Sequence, residues 1–210
     1  MIVVNFATRN FKSGQNRLRN SLSNYHHLMY DNYSQIGSPT HQESPYEFKC
    51  HALKIVINID PIVLWADASM YRVGDLSKIE NIIKEDGHFF EEAGHYVGRW
   101  CNEHTRNYFN LTVQEAVQGE GGLTMFSAGL LGLNRNNERA MKFLDEWTAS
   151  AKAGCFKGDW ADHRHDMTCA SIIAQRMGMK YQTGASHLCY IGPGYSQPNR
   201  EAVFHCQGYL

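Results

Sequence analysis

Three stretches of the chain carry side chains able to do chemistry. In Pro61-Ile62-Val63-Leu64-Trp65-Ala66-Asp67-Ala68-Ser69 an apolar run ends abruptly in a carboxylate. A buried strand there would deliver Asp67 to its tip, and in open α/β sheets ligands bind outside the carboxyl ends of the strands. Asp and Ser also form turns, so a purely structural role for Asp67 competes with the functional one. Between Asp159 and Asp166 stand three acids (Asp159, Asp162, Asp166) and two histidines (His163, His165). They are a supply of proton carriers, the histidines being poised near neutral pH, although Asp166 also suits the N-cap of the helix that follows it. The third stretch is Val203-Phe204-His205-Cys206-Gln207-Gly208, where His205 is a possible ligand.

Other chemistries find no footing. Gly119-Glu120-Gly121-Gly122 lacks the strand-to-helix setting that would cradle a phosphate, so neither a P-loop nor a dinucleotide fingerprint is present. No Gly-x-Ser-x-Gly elbow occurs. His163 and His165, alternate residues on one loop without Cys nearby, do not make a zinc site.

The elements that must position these groups are legible in part. Ile2 to Ala7 reads as a buried first strand emptying into Thr8-Arg9-Asn10, and Gln15 to Leu22 as a short helix. Tyr33 to Ser44 is polar and reads as a loop, with His26 and His27 as surface residues. Ser44-Pro45-Tyr46-Glu47 has the pattern of a capping box opening a helix that carries Lys49 and the apolar series Phe48, Ala52, Ile55, Val56. Beyond the Asp67 strand, Asp75 caps a helix with Leu76, Ile79, Ile82 and Ile83 on one face, stopped by Gly87. Within 88–122 short helices are expected at Trp100 to Tyr108 and Thr112 to Gln118. Leu123 to Leu133 reads as a strand broken at Ser127-Ala128-Gly129, Asn136 opens a helix to Gly154, and a last helix runs from about Met167 to Met177. Strands alternating with helices predict one α/β domain over 1–210, a central mostly parallel or mixed sheet flanked by helices.

Composition narrows the class. The 210 residues are 43% hydrophobic and 20% charged, ordinary globular values, and no apolar run reaches the ~20 residues that span a bilayer. The N-terminus has no basic leader or small-residue cleavage site, which implies cytoplasmic residence. The six cysteines are scattered and read as reduced packing thiols. A net charge of -1 with dispersed Lys and Arg gives no footprint for nucleic acid.

Taken together, the first strand ending in Phe6-Ala7-Thr8-Arg9, the helix bearing Lys49 and the strand ending at Asp67-Ala68-Ser69 resemble the GT-A glycosyltransferases, most nearly the small enzymes of large algal (chlorella) viruses. The match is one of order and context over most of the chain, carried by short motifs. The resemblance implies that Phe6, Ala7, Thr8 and Arg9 line a nucleotide-base pocket and that Asp67-Ala68-Ser69 occupies the place of an Asp-x-Asp motif. Ser127-Ala128-Gly129 resembles the strand edge beside the donor sugar. Asp159 to Met167 resembles a His-Asp-Gln type segment, with Met167 where Gln is common.

It further implies a divalent cofactor, Mn²⁺ or Mg²⁺, held by Asp67, Ser69 and His205, the last in a His-x-x-Gly context with Gly208. Ser69 stands where the family has its second acid, and a hydroxyl is a weaker ligand for these cations than a carboxylate, which puts metal dependence in doubt. Lys49 and Arg9 are the expected cationic contacts to the diphosphate of a UDP-sugar donor. The acceptor is expected to be a carbohydrate hydroxyl. Asp166, then His165, would take its proton if configuration inverts; with retention Asp166 would steady the sugar cation. The rival readings are a sugar-binding module without turnover and a nucleotidyltransferase, and the chain is one domain that a longer product would accommodate.

Overall fold

In the computed structural model residues 1–184, 187–192 and 202–207 are described. In chain order the elements are β1 (Ile2–Phe6), α1 (Lys12–Ser21), β2 (His27–Tyr30), α2 (Tyr33–Ile36), α3 (Glu47–Val56), β3 (Ile62–Ala66), β4 (Met70–Arg72), α4 (Ser77–Asp86), β5 (His88–Tyr96), α5 (Glu103–Phe109), β6 (Thr124–Asn134), α6 (Glu138–Lys152), α7 (His165–Arg176), β7 (Leu188–Tyr190) and β8 (Phe204–Cys206). The main sheet has the order β2-β1-β3-β6-β5. β1 is parallel to both of its neighbours, while β6 is antiparallel to β3 and to β5, so β6 alone runs against the other strands. The second sheet, β4-β8-β7, is smaller.

The period of two along a strand sends alternate side chains to opposite faces. Ile2, Val4 and Phe6 of β1 and Val63 and Trp65 of β3 join a core with Phe143, Leu144 and Trp147 of α6 and Ala170 and Ile173 of α7. Val3, Leu64 and Ala66 face the other way, onto Leu18 of α1, Ile79 and Ile83 of α4 and Phe204 of β8. Each of these side chains is fully or nearly fully buried, the valines, leucines, isoleucines and phenylalanines contributing roughly 1.5–3 kcal/mol apiece on transfer from water. Among the described residues no helix is long and apolar enough to cross a membrane.

Several expected elements differ. Ser44-Pro45-Tyr46-Glu47 is not a capping box: α3 starts at Glu47, Tyr46 takes a left-handed backbone (φ 60) and the buried Ser44 hydroxyl has no partner. The Glu47 carboxylate instead meets His51 one turn on, at 3.2 Å. β6 runs unbroken through Ser127-Ala128-Gly129. Thr112 to Gln118 forms turns; His26 is exposed, and His27 lies half-buried at the start of edge strand β2. β5 was not expected at all. The caps hold better: Asp75 accepts from Ser77 N, and Asn137, one residue beyond Asn136, caps α6 through Ala140 N.

Candidate functional site

Two features bring the tips of β1 and β3 together. The Asn5 amide donates to Ala66 O at 2.6 Å, and Gln15 of α1 donates to Asn5 Oδ1 at 2.9 Å and to Tyr30 O at 2.8 Å, a buried bridge across three strands. Gly14 lets α1 lie directly on the turn that follows Asp67: a Cβ there would fall 2.1 Å from Ala68 O. Gly129 does the same from β6, since a Cβ would come within 3.0 Å of Asp67 Oδ2.

Asp67 stands at the end of β3, its backbone N–H bonded to Gly129 O at 2.8 Å. The Trp65 indole N–H donates to Asp67 Oδ1 at 2.7 Å. Lys49, on α3, reaches over the sheet and lies 3.2 Å from Asp67 Oδ1 and 2.9 Å from Asp166 Oδ2, while donating to Ala128 O at 3.0 Å. Its hydrogen bonds go to Asp67 Oδ2 at 3.4 Å and to Ala128 O, and Asp166 meets it as an ion pair. Lys49, the expected cationic contact to a diphosphate, lines the cleft and is paired with both carboxylates in this structure. Burial pulls the Lys49 pKa down, but Asp166 and Asp67 outweigh it and hold the group well above the usual lysine range. Asp166 is raised by burial against the opposing pull of Lys49. Its Oδ2 is close to Lys49 yet off the direction of a good hydrogen bond, so this buried oxygen keeps unused accepting capacity.

Asp166 is not the cap of α7. That helix begins at His165, with Arg164 preceding it and no side-chain cap, which frees the Asp166 carboxylate for Lys49. The Trp147 indole holds the Asp166 carbonyl at 3.0 Å. His165 and Tyr46 are both left-handed (φ 43 and 60), a conformation that costs a non-glycine residue on the order of 1–2 kcal/mol, and their rings pack at 5.3 Å. Burial and Asp166 push the Tyr46 hydroxyl up to about 12.

A cleft of about 260 Å³ is lined by Lys49, Asp67, Ser69, Ser127, Ala128, Gly129 and Asp166, together with Tyr46, Met70, His95, Trp160, Arg164, Met167, Tyr190 and Cys206. Beside it an aromatic slot of about 240 Å³ is lined by Phe6, Ala7, Thr8, Arg9, Asn10, Phe11, Tyr33, His41 and Phe48. A smaller space touching Phe6, Phe11, His41, Tyr46, Asp67 and Ala68 joins the two. Twelve of the expected donor-side and catalytic positions thus fall along one groove, Ala68 at the junction among them.

Two expected residues stand apart. His165 lines a neighbouring recess, its Nδ1 2.8 Å from Phe156 O and its ring stacked on Trp160 at 5.2 Å. His205 sits on β8 across from Tyr71, with Nδ1 3.4 Å from the Tyr71 hydroxyl. Strand alternation gives the cleft side to Cys206 instead, whose thiol donates to Ser69 Oγ at 3.4 Å. Gly208, the other half of the expected His-x-x-Gly pattern, lies outside the described residues. The set Asp67, Ser69 and His205 is therefore not gathered, because β8 turns His205 away. Among the described residues no three His, Cys, Asp or Glu side chains converge as a cation cage. In this structure Asp67 accepts from the Trp65 indole and pairs with Lys49.

Arg164, given no role from sequence, lines the cleft with its guanidinium between two indoles, 3.7 Å from the Trp100 ring and 4.4 Å from that of Trp160. Only the spacing of Trp160 and Arg164 hinted at this.

No family profile matches the chain, and no curated protein does. Solved structures do. A glycosyltransferase involved in glycosylating the major capsid of PBCV-1 superimposes with a TM-score of 0.56 at 10% identity, covering 99% of this chain and 95% of the other. Mouse xyloside xylosyltransferase 1 gives 0.53 at 9% identity, with 99% and 98% covered. The galactosyltransferase LgtC, in complex with donor and acceptor sugar analogues, gives 0.50 at 12%, with 98% and 86% covered. The chain therefore has the fold of the GT-A glycosyltransferases, as its first-strand, Asp67 and Asp166 segments led one to expect.

Proposed function

We propose that the chain is a glycosyltransferase that moves a sugar from a nucleoside diphosphate, UDP first, to a hydroxyl of a carbohydrate acceptor. The observation that carries this reading is the groove in which an aromatic slot at the end of β1 opens onto the Lys49, Asp67 and Asp166 cluster at the end of β3. In it the base would stack among Phe6, Tyr33 and Phe48, whose rings already pack at 4.7 and 4.8 Å from that of Phe6. The ribose and diphosphate would pass Asp67, Ala68 and Ser69, and the sugar would rest on Ser127, Ala128 and Gly129, where small side chains leave room.

When the diphosphate departs, negative charge builds on its oxygens and oxocarbenium character on the sugar. Asp166 is the group we assign to the second of these, its charge fixed by Lys49. In an inverting reaction it takes the acceptor proton, a task helped by a carboxyl whose proton affinity burial has raised; in a retaining one it steadies the cation. No step is assigned to a metal.

The test is a titration of the purified chain with UDP-, GDP- and dTDP-sugars, read by thermal shift, in Mn²⁺, in Mg²⁺ and in EDTA. A ligand at a hundred times its dissociation constant stabilises by ~2.7 kcal/mol. We expect a UDP-sugar to raise the melting temperature, Asp67→Asn to remove most of that rise, and an acceptor to release UDP. A shift that Asp67→Asn leaves untouched would put the donor elsewhere, and donor binding with no UDP released toward any acceptor would favour the binding-module reading.

A further inference from the structure

We infer that the Arg164 guanidinium lining the cleft recognises an anionic group on the acceptor, so that the accepting saccharide carries a carboxylate or a phosphate. This deepens the transferase reading of the cleft and rests on it. The observation is Arg164. Its backbone N–H is tied to Trp100 O at 3.2 Å, and one guanidinium N–H donates to Trp160 O. Both faces of the guanidinium are covered by indoles. Of its five N–H donors, the remaining four have no acceptor among the described residues, and no described carboxylate lies within ion-pair distance.

A second guanidinium lies nearby. Arg99 lies over the same Trp100 ring at 5.0 Å, again with no described carboxylate, and His95 packs edge-on to it at 6.1 Å. Burial and the neighbouring Arg99 both disfavour the charge on Arg164, and among the described residues neither guanidinium has a carboxylate within ion-pair distance. A planar fork whose faces are blocked and whose edge is free is a receptor for a bidentate oxyanion.

The donor's diphosphate is the competing anion, and position argues against it. The residues that join the aromatic slot to Asp67 do not include Arg164. It lines the cleft together with His95, Trp160 and Met167, none of which lines the aromatic slot.

The test uses UDP-loaded protein and four probes at low salt: 4-nitrophenyl β-glucuronide against 4-nitrophenyl β-glucoside, and glucose 6-phosphate against glucose, with affinities from NMR titration. We expect at least one acidic probe to bind ten-fold or more tightly than its neutral partner, the preference shrinking as NaCl is raised. Arg164→Gln should abolish the preference and Arg164→Lys should keep part of it, while UDP affinity, measured separately, moves by less than twofold. Equal affinity for acidic and neutral probes, or no binding of any, overturns the inference. So does a preference that survives Arg164→Gln, or a ten-fold loss of UDP affinity in that variant, which would hand the guanidinium to the diphosphate. Failure of UDP itself to bind the wild type would sink the donor reading instead, and the acidic preference, measured without UDP, would stand or fall independently.

Discussion

Lys49 is the residue on which the cleft's geometry turns. One ammonium, 3% exposed, separates two carboxylates on different elements, so the three groups sum to a single negative charge. Breaking a buried ion pair by removing one partner typically costs about 3–5 kcal/mol, because the other charge stays behind unpaired. We expect Lys49→Met to lose stability of that order in urea denaturation at pH 7, and Lys49→Met combined with Asp166→Asn to lose less than the sum of the two single changes. Strict additivity would mean that the contact contributes nothing. The pH dependence follows from sign. The folded pKa of Lys49 lies above its unfolded value, so its contribution is complete below ~10.4, the ordinary lysine value, and is lost as pH rises beyond it. The stability gap between wild type and Lys49→Met should therefore stay flat from pH 7 to 9 and begin to close only above that value.

Elements position these residues through close backbone approaches, and glycine marks two of them. In a helix Gly→Ala ordinarily gains up to ~1 kcal/mol. At Gly14 the new methyl would meet the Ala68 carbonyl at 2.1 Å, a backbone atom that cannot swing aside. Overpacking of this kind costs ~1–3 kcal/mol, so Gly14→Ala should destabilise in denaturation curves and weaken UDP-sugar affinity as the 67–69 turn shifts; a more stable variant with unchanged affinity would refute the contact. Such approaches are invisible to periodicity, which explains what was and was not legible. The β3 strand and the helices from Asp75, Asn136 and Met167 stood out because each buries one continuous apolar set. β2 did not, being an edge strand with every residue half-buried, and neither did β5, whose alternation is interrupted by register shifts at Phe90/Glu92 and Glu92/His95. The Ser44 box misled because its spacing presumes helical backbone, whereas Tyr46 turns left-handed. Asp67 and Asp166 were found through their places at element ends. Arg164 did not stand out because its packing depends on Trp100, 64 positions away, and the sequence alone does not say which of His205 and Cys206 lines the cleft.

At the scale of the whole molecule, the second sheet braces the site although it contributes few of its groups. β8 is the centre of that sheet, pairing with β4 on one side and β7 on the other. β4 begins just after Asp67-Ala68-Ser69, and Gln207 N donates to Ser69 O at 3.0 Å. Phe204, fully buried, joins β8 to Val3 and Leu64 of the main sheet through one core. Phe204→Ala should thus cost about 3–5 kcal/mol, a large share of the 5–15 kcal/mol that a typical domain possesses, leaving a folded but marginal protein. Because that core is where the sheets meet, the loss should be unevenly spread. Amide exchange should quicken first in β4 and β8, with β1 and β3 retaining protection, and donor affinity should fall as Ser69 loosens. Hydrogen-exchange mass spectrometry resolves these segments; uniform acceleration across both sheets, or an unchanged exchange pattern with a stability loss under ~1 kcal/mol, would mean that the second sheet does not hold the Asp67 turn in place.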